Sequence, residues 1–271
     1  MLKKSFLLSS VLFVSLNAHA GFFGGDDFKC GREDAVKALQ DYIKSGAGGQ
    51  LQSNYITDAA RFYGKDLQVF QDKLNGISIN ASNVSTAGNT GSELNCKATI
   101  AVNLPAETLE VVKDNPVYLS LLVSNGGTLN QGSIVWNDYA YSVKLADNKK
   151  DISVSRVENI MKALYQTTVL AVTKDDIISS NYSAKLDNAK RDYMGQDAYL
   201  NEVWKRLPDA IRSSMKKEQV AWVNEKALKC GKLSDADSAA TPFQNRIKIY
   251  QCQTKMTQER IAFLGGDRDY D

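Results

Sequence analysis

The first hydrophobic block of the chain, Phe6 to Leu16, follows Lys3 and Lys4 and precedes the small-x-small tripeptide Ala18, His19, Ala20. A block this short does not span a bilayer, and its three-part layout predicts a secretory signal peptide, residues 1–20, cut after Ala20. The first cysteine is Cys30, not a residue at the cut, so a soluble periplasmic protein is expected rather than a lipid-anchored one. After a glycine-rich leader, Gly21 to Gly25, apolar positions take a helical spacing: Val36, Leu39, Tyr42 and Ile43 define an amphipathic helix predicted to end in the flexible stretch Ser45 to Gly49. A second helical stretch carries Ala60, Tyr63, Leu67, Phe70 and Leu74 and stops at Asn75 and Gly76.

From Ile77 the period becomes two. Ile77 and Ile79 alternate, Ser85 to Ser92 reads as a turn-rich insert, and Cys96, Ala98, Ile100 and Val102 then share one face of a strand. Tyr139, Tyr141, Val143 and Leu145, followed by Ile152 and Val154, form a predicted hairpin around the turn Ala146 to Lys150. Between these strands, Ala106 to Lys113 is expected to be a short helix after Pro105, Tyr118 to Val123 a buried strand, and Asn125 to Gly127 a turn. Beyond Val157 strand signals cease: Val157, Ile160, Met161, Leu164 and Thr168 mark a helix face, and Ala184 to Leu207 is helix-permissive and rich in charge.

The predicted class is α+β, with N-terminal helices packed on an antiparallel sheet and a small disulfide-stapled all-helical domain after it. The expected boundaries are a sheet domain over 21–156, a helical connector over 157–192, a helical domain over 193–266 and a disordered tail over 267–271. Helices followed by a curled meander resemble the cystatin-like and nuclear-transport-factor-like sandwiches over residues 28–156. The likeness is one of topology and carries no function.

Charge narrows the partners. Removing residues 1–20 takes away two lysines and no acids, leaving 31 basic against 31 acidic side chains. A formally neutral chain without long runs of one sign has no field to gather nucleic acid, so no nucleic-acid partner is expected. Cys30, Cys96, Cys230 and Cys252 allow three connectivities, and the pairing Cys30 with Cys96 and Cys230 with Cys252 keeps each bridge within one predicted unit. With no Cys-x-x-Cys and no histidine partner, a zinc site is not expected, nor any other metal or cofactor.

The last quarter of the chain carries the most specific pattern. Leu200, Asn201 and Trp204 open one helix; Gln219 and Trp222 sit in a second that Cys230 ends. Thr241-Pro242-Phe243-Gln244 has the layout of a capped helix start, and Cys252, Thr257, Arg260 and Leu264 follow on that helix up to Gly265. This order resembles the family of the lysozyme inhibitor LprI, whose pattern is Leu-Asn with a following aromatic, Gln-x-x-Trp, a cysteine eight residues later, a second cysteine and Thr-x-x-Arg-x-x-x-Leu. Two places depart from it: Val220 replaces an arginine, and Lys226-Ala227 replace Arg-Asp. Read as side chains alone, Trp204, Trp222 and Leu264 belong to a helical core, and Asn201 and Gln219 to caps or helix-to-helix hydrogen bonds.

Catalysis finds little footing. The single histidine, His19, departs with the signal peptide, taking with it the commonest general base near neutral pH. Ser213-Ser-Met-Lys216, Ser179-Ser-Asn181 and Lys44-Ser-Gly46 imitate the three elements of penicillin-binding enzymes, but in reversed order. Asp235 and Asp237 imitate part of a calcium loop but lack its glycine and closing glutamate, and read as a solvated loop. The mature chain is therefore expected to be a non-catalytic protein-binding module. The LprI resemblance implies a muramidase as partner; the alternatives are an accessory or localising factor of an envelope-spanning machine such as a type VI secretion system, and a peptidoglycan-binding or hydrolysing protein. From Tyr193 to Asp271 there are 13 basic and 11 acidic residues, so this segment supplies no steering toward a strongly basic lysozyme.

Overall fold

The structure is a computed structural model that describes residues 28–90, 92–124 and 126–266. The expected signal peptide, the glycine-rich leader and the tail 267–271 lie outside these residues, as does Asn125 of the expected turn. The chain opens with α1 (Glu33–Thr57), a 3-10 turn (Ala59–Phe62) and α2 (Leu67–Gly76). The sheet follows as β1 (Ile79–Thr90), β2 (Glu93–Asn103), β3 (Thr128–Asn130), β4 (Ser133–Leu145) and β5 (Ile152–Ser155), with α3 (Ala106–Asp114) and α4 (Val117–Val123) between β2 and β3. The rest is helical: α5 (Glu158–Val172), α6 (Lys174–Arg206), α7 (Asp209–Cys230), α8 (Leu233–Asp237) and α9 (Phe243–Phe263).

All strand pairs are antiparallel, in the order β1-β2-β4-β3, with β5 also pairing with β4. Cys96, Ala98, Ile100 and Val102 of β2 and Ile134, Trp136, Tyr141 and Val143 of β4 turn into one core. The core's other wall comes from α1, α2 and α5. Ten of the fifteen residues of α5 are buried, so it is the central helix of this unit. Residues as far along as Ile177 of α6 belong to the same core, although the connector expected over 157–192 includes them. The Cys30–Cys96 disulfide ties the approach to α1 onto β2.

In this unit expectations fail for identifiable reasons. Helix α1 does not end at Ser45 to Gly49 but continues to Thr57, because Ala47 and Leu51 prolong the buried stripe of Ala35, Leu39 and Ile43. Gly46 serves close approach rather than flexibility: a β-carbon there would overlap the Met161 side chain of α5. Ser85 to Ser92 is not an insert, since β1 runs through to Thr90. Its backbone pairs with β2 from Ile79 opposite Val102 to Thr90 opposite Glu93, with two register shifts. An edge strand with a solvated outer half shows no apolar alternation. Tyr118 to Val123 is helix α4 instead of a strand; Pro116 sets the helical φ before it, and only Leu122 is fully buried. A short apolar run does not by its period distinguish the two.

The helical unit is thinly cored. Leu186, Ala189, Tyr193, Ala236 and Tyr250 form one cluster, and Leu200, Val203 and Ile261 another. The Cys230–Cys252 disulfide joins the end of α7 to α9. The capping box expected at Thr241 to Gln244 does not form: α9 has no side-chain cap, and Gln244 Nε2 instead donates to the Tyr182 hydroxyl of α6 at 2.8 Å. Asp235 and Asp237 lie on α8 rather than in a loop. Among the described residues no helix is long and apolar enough to cross a membrane.

Candidate partner-binding groove

Helix α9 packs along α6 and also against α7, and α7 meets α6 through side chains, with Trp222 packed on the Leu200 cluster and Lys226 facing Asp197. The space left between them is a cavity of about 370 Å3. Its walls include Tyr193, Asp197 and Asn201 from α6 and Gln219, Trp222 and Lys226 from α7; Gln253 of α9 forms part of its lining. Helix α7 commits almost nothing apolar to the interior: Lys226 is its one fully buried residue, while Val220, Val223 and Leu228 are exposed.

Two cations flank Trp222. The Arg260 guanidinium lies 5.7 Å from the indole centroid and 4.6 Å from that of Phe263. It donates from Nε to Gln219 Oε1 and from Nη1 to Glu218 Oε1, both at 2.8 Å, and so fastens α9 to α7. The Lys226 ammonium lies 4.9 Å from Trp222 and 5.2 Å from Tyr193, donates to Thr257 Oγ1 at 3.2 Å, and faces Asp197 at 3.7 Å. Ring faces and one carboxylate replace only part of its lost hydration. Burial accordingly pushes the Lys226 pKa down, with Asp197 opposing. Burial, aided by Asp197, pushes the Tyr193 hydroxyl up.

Gln253 is buried and donates from Nε2 to the Gly231 carbonyl at 2.7 Å, while its Oε1 has no protein partner. Thr257 Oγ1 donates to the Gln253 carbonyl at 2.8 Å. Asn201 Nδ2 donates to the Asp197 carbonyl at 2.9 Å, one helical turn back, and so caps nothing. Leu200 is core, with Trp222 and Leu264 packed on the same small cluster, and Trp204 is half-buried outside the cavity lining. Of the motif residues, Leu200, Asn201, Gln219 and Trp222 thus line the cavity, while Thr257 accepts from Lys226, Arg260 donates to Gln219, and Leu264 packs on the cluster that Trp222 joins.

Sequence reasoning passed over Asp197, Glu218 and Gln253, and met Lys226 only as a departure from a pattern. Their readable trace is spacing. Gln253, Thr257 and Arg260 share one face of α9, as Gln219, Trp222 and Lys226 share one face of α7. The serine–lysine imitations are not one site: their elements lie on α1, α6 and α7, with Lys44 donating to the Asn75 carbonyl and Asn181 to Asp114. Asp237 is engaged structurally, accepting from Lys190 and from the Tyr250 hydroxyl at 2.6 Å each, which holds its carboxyl below the usual range. No group of three or more His, Cys, Asp or Glu side chains is placed to hold a metal among the described residues.

The arrangement of Gln219, Trp222, Thr257 and Arg260 on facing helices gives the sequence motif a three-dimensional meaning. Residues 179–264 match the family model for lysozyme inhibitor LprI. Every residue that lines the groove lies within the LprI match, as does the Cys230–Cys252 bridge. No curated protein and no solved structure matches the chain.

Proposed function

We propose that the chain is a non-catalytic inhibitor of a lysozyme-like muramidase, acting in the periplasm after cleavage behind Ala20, with the groove between α6 and α7 as its contact surface. The observation that carries this reading is that, within the LprI match, an aromatic (Trp222), a cation (Lys226) and a glutamine whose Oε1 has no protein partner (Gln253) line one cavity. Such a mixture is typical of an anchor point: an aromatic face gives area, and desolvated polar groups give direction. The two disulfides agree with an oxidising compartment. Neither the fold nor the LprI match favours an envelope-machine factor or a peptidoglycan-binding protein.

With nearly balanced charge in the helical unit, association relies on short-range burial, so salt should alter its rate only weakly. The test follows the clearing of purified sacculi by a lysozyme-type muramidase as the secreted chain is titrated in. Inhibition that saturates at one chain per enzyme, and that weakens about tenfold or more in Trp222→Ala, is the expected result. Unchanged muramidase activity at large excess of a folded chain overturns the reading.

A further inference from the structure

We propose that the sheet-bearing unit holds a second binding site, for a small amphipathic anion: one carboxylate-type head on a compact apolar body. The site is a cavity of about 350 Å3 enclosed by the 3-10 turn, α4, α5 and the start of α6. None of its lining residues falls within 179–264, so it is separate from the LprI match and does not depend on the muramidase reading.

Its inner wall is apolar, formed by Val169, Leu170 and Ile177, all nearly buried. Tyr63, Tyr118 and Tyr165 supply aromatic surface, and Tyr63 and Leu121 remain almost half exposed. An ion pair between Lys65 and Asp176, at 2.8 Å, joins the segment after the 3-10 turn to α6.

Charge selects the ligand's sign. Among the described residues that line the cavity, Arg61 alone is charged. Its Nη1 donates to the Tyr165 hydroxyl at 3.5 Å, and its Nε pairs with Asp58 at 3.1 Å, both partners of that pair being about half exposed. A solvated pair of this kind contributes little, so the guanidinium can turn to a carboxylate held in the cavity and bind it through two parallel hydrogen bonds. Gln166 also lines the cavity, and its buried Oε1, which has no partner in the protein, is a spare acceptor for a hydroxyl or N–H on the ligand body. Small-molecule pockets run from about 300 to 1,000 Å3, which admits a bicyclic aromatic acid here and excludes a two-chain lipid.

The experiment is isothermal titration of the full secreted chain with 2-naphthoate and, separately, with the neutral 2-naphthylmethanol. Saturable binding of naphthoate at one site, about tenfold tighter than the alcohol, is expected. Arg61→Gln should erase that preference, and Leu121→Trp, which narrows the mouth, should weaken both ligands, each variant keeping the parent's circular dichroism. If Arg61→Gln proves unstable, the salt dependence of naphthoate binding by the parent chain replaces it: weakening with salt supports the site, and insensitivity counts against it. Absence of saturable binding, equal affinity for acid and alcohol, or indifference to Leu121→Trp overturns the proposal.

Discussion

The two halves of this chain bury different things. The sheet-bearing unit gathers apolar side chains from α1, α2, α5, β2 and β4 into one continuous cluster, and polar residues buried there include Thr108 and Thr168, whose hydroxyls donate to backbone carbonyls. The helical unit has two small apolar clusters and buries Lys226, Gln253, Thr257 and Arg260. Removal of apolar area from water stabilises at roughly 25 cal/mol per Å2 whatever the detailed geometry, whereas buried charge stabilises only if its partners are in place. The first unit is therefore held by quantity and the second by arrangement, aided by a covalent staple. A small unit that spends its interior on cations is better organised to present a surface than to resist unfolding.

Breaking the covalent links separates the two regimes most sharply. In the chain-entropy account, bridges spanning 66 and 22 residues contribute about 4 and about 3 kcal/mol respectively. Cys30→Ser/Cys96→Ser should lower the denaturant midpoint of the sheet-bearing unit while leaving it folded, because its large core remains. Cys230→Ser/Cys252→Ser removes less in absolute terms yet should unfold the helical unit, seen as lost protection from hydrogen exchange confined to α7 and α9. Equal tolerance of both losses would contradict the contrast. Next in size is Arg260→Ala, which deletes the bonds to Gln219 and Glu218 and the stacking on Trp222 and Phe263. A loss of about 2 kcal/mol, local to the helical unit, is expected in urea unfolding.

The contrast also governs what could be read from the residues in order. Where apolar burial decides, period was enough: the faces of β2, the β4–β5 hairpin and the stripe of α5 follow from alternation and four-residue spacing. It failed where tertiary contact overrode local propensity, as at Gly46, whose missing side chain lets α1 approach Met161. It failed again at β1, where an edge strand needs no apolar face. In the helical unit, pattern located the disulfide and the motif but not their use. Val220 and Leu228 look like core and are exposed; Lys226 looks like surface and is buried. Only the packing of α9 against both α6 and α7 decides that inversion, and a one-dimensional pattern does not contain it.

Lys226 gives the finest and smallest test. Replacing a buried charge by an apolar side chain of similar length is often neutral or stabilising, and Asp197, being partly exposed, is not stranded by the change. Lys226→Met should thus match or exceed the parent's stability by about 1 kcal/mol near neutral pH while weakening muramidase inhibition. The pH dependence supplies the sign. Burial lowers the Lys226 pKa, so between that lowered value and the ordinary lysine value the unfolded chain binds more protons than the folded one, and parental stability rises with pH. Lys226→Met lacks this rise, and its advantage should shrink as pH climbs through the window. Tyr193, raised by burial, acts in the opposite direction above the ordinary tyrosine range, but both chains carry it and it largely cancels in the difference. A methionine variant that is markedly less stable at neutral pH, or whose advantage widens with pH, would mean that the buried ammonium holds the helical unit together rather than equipping it to bind.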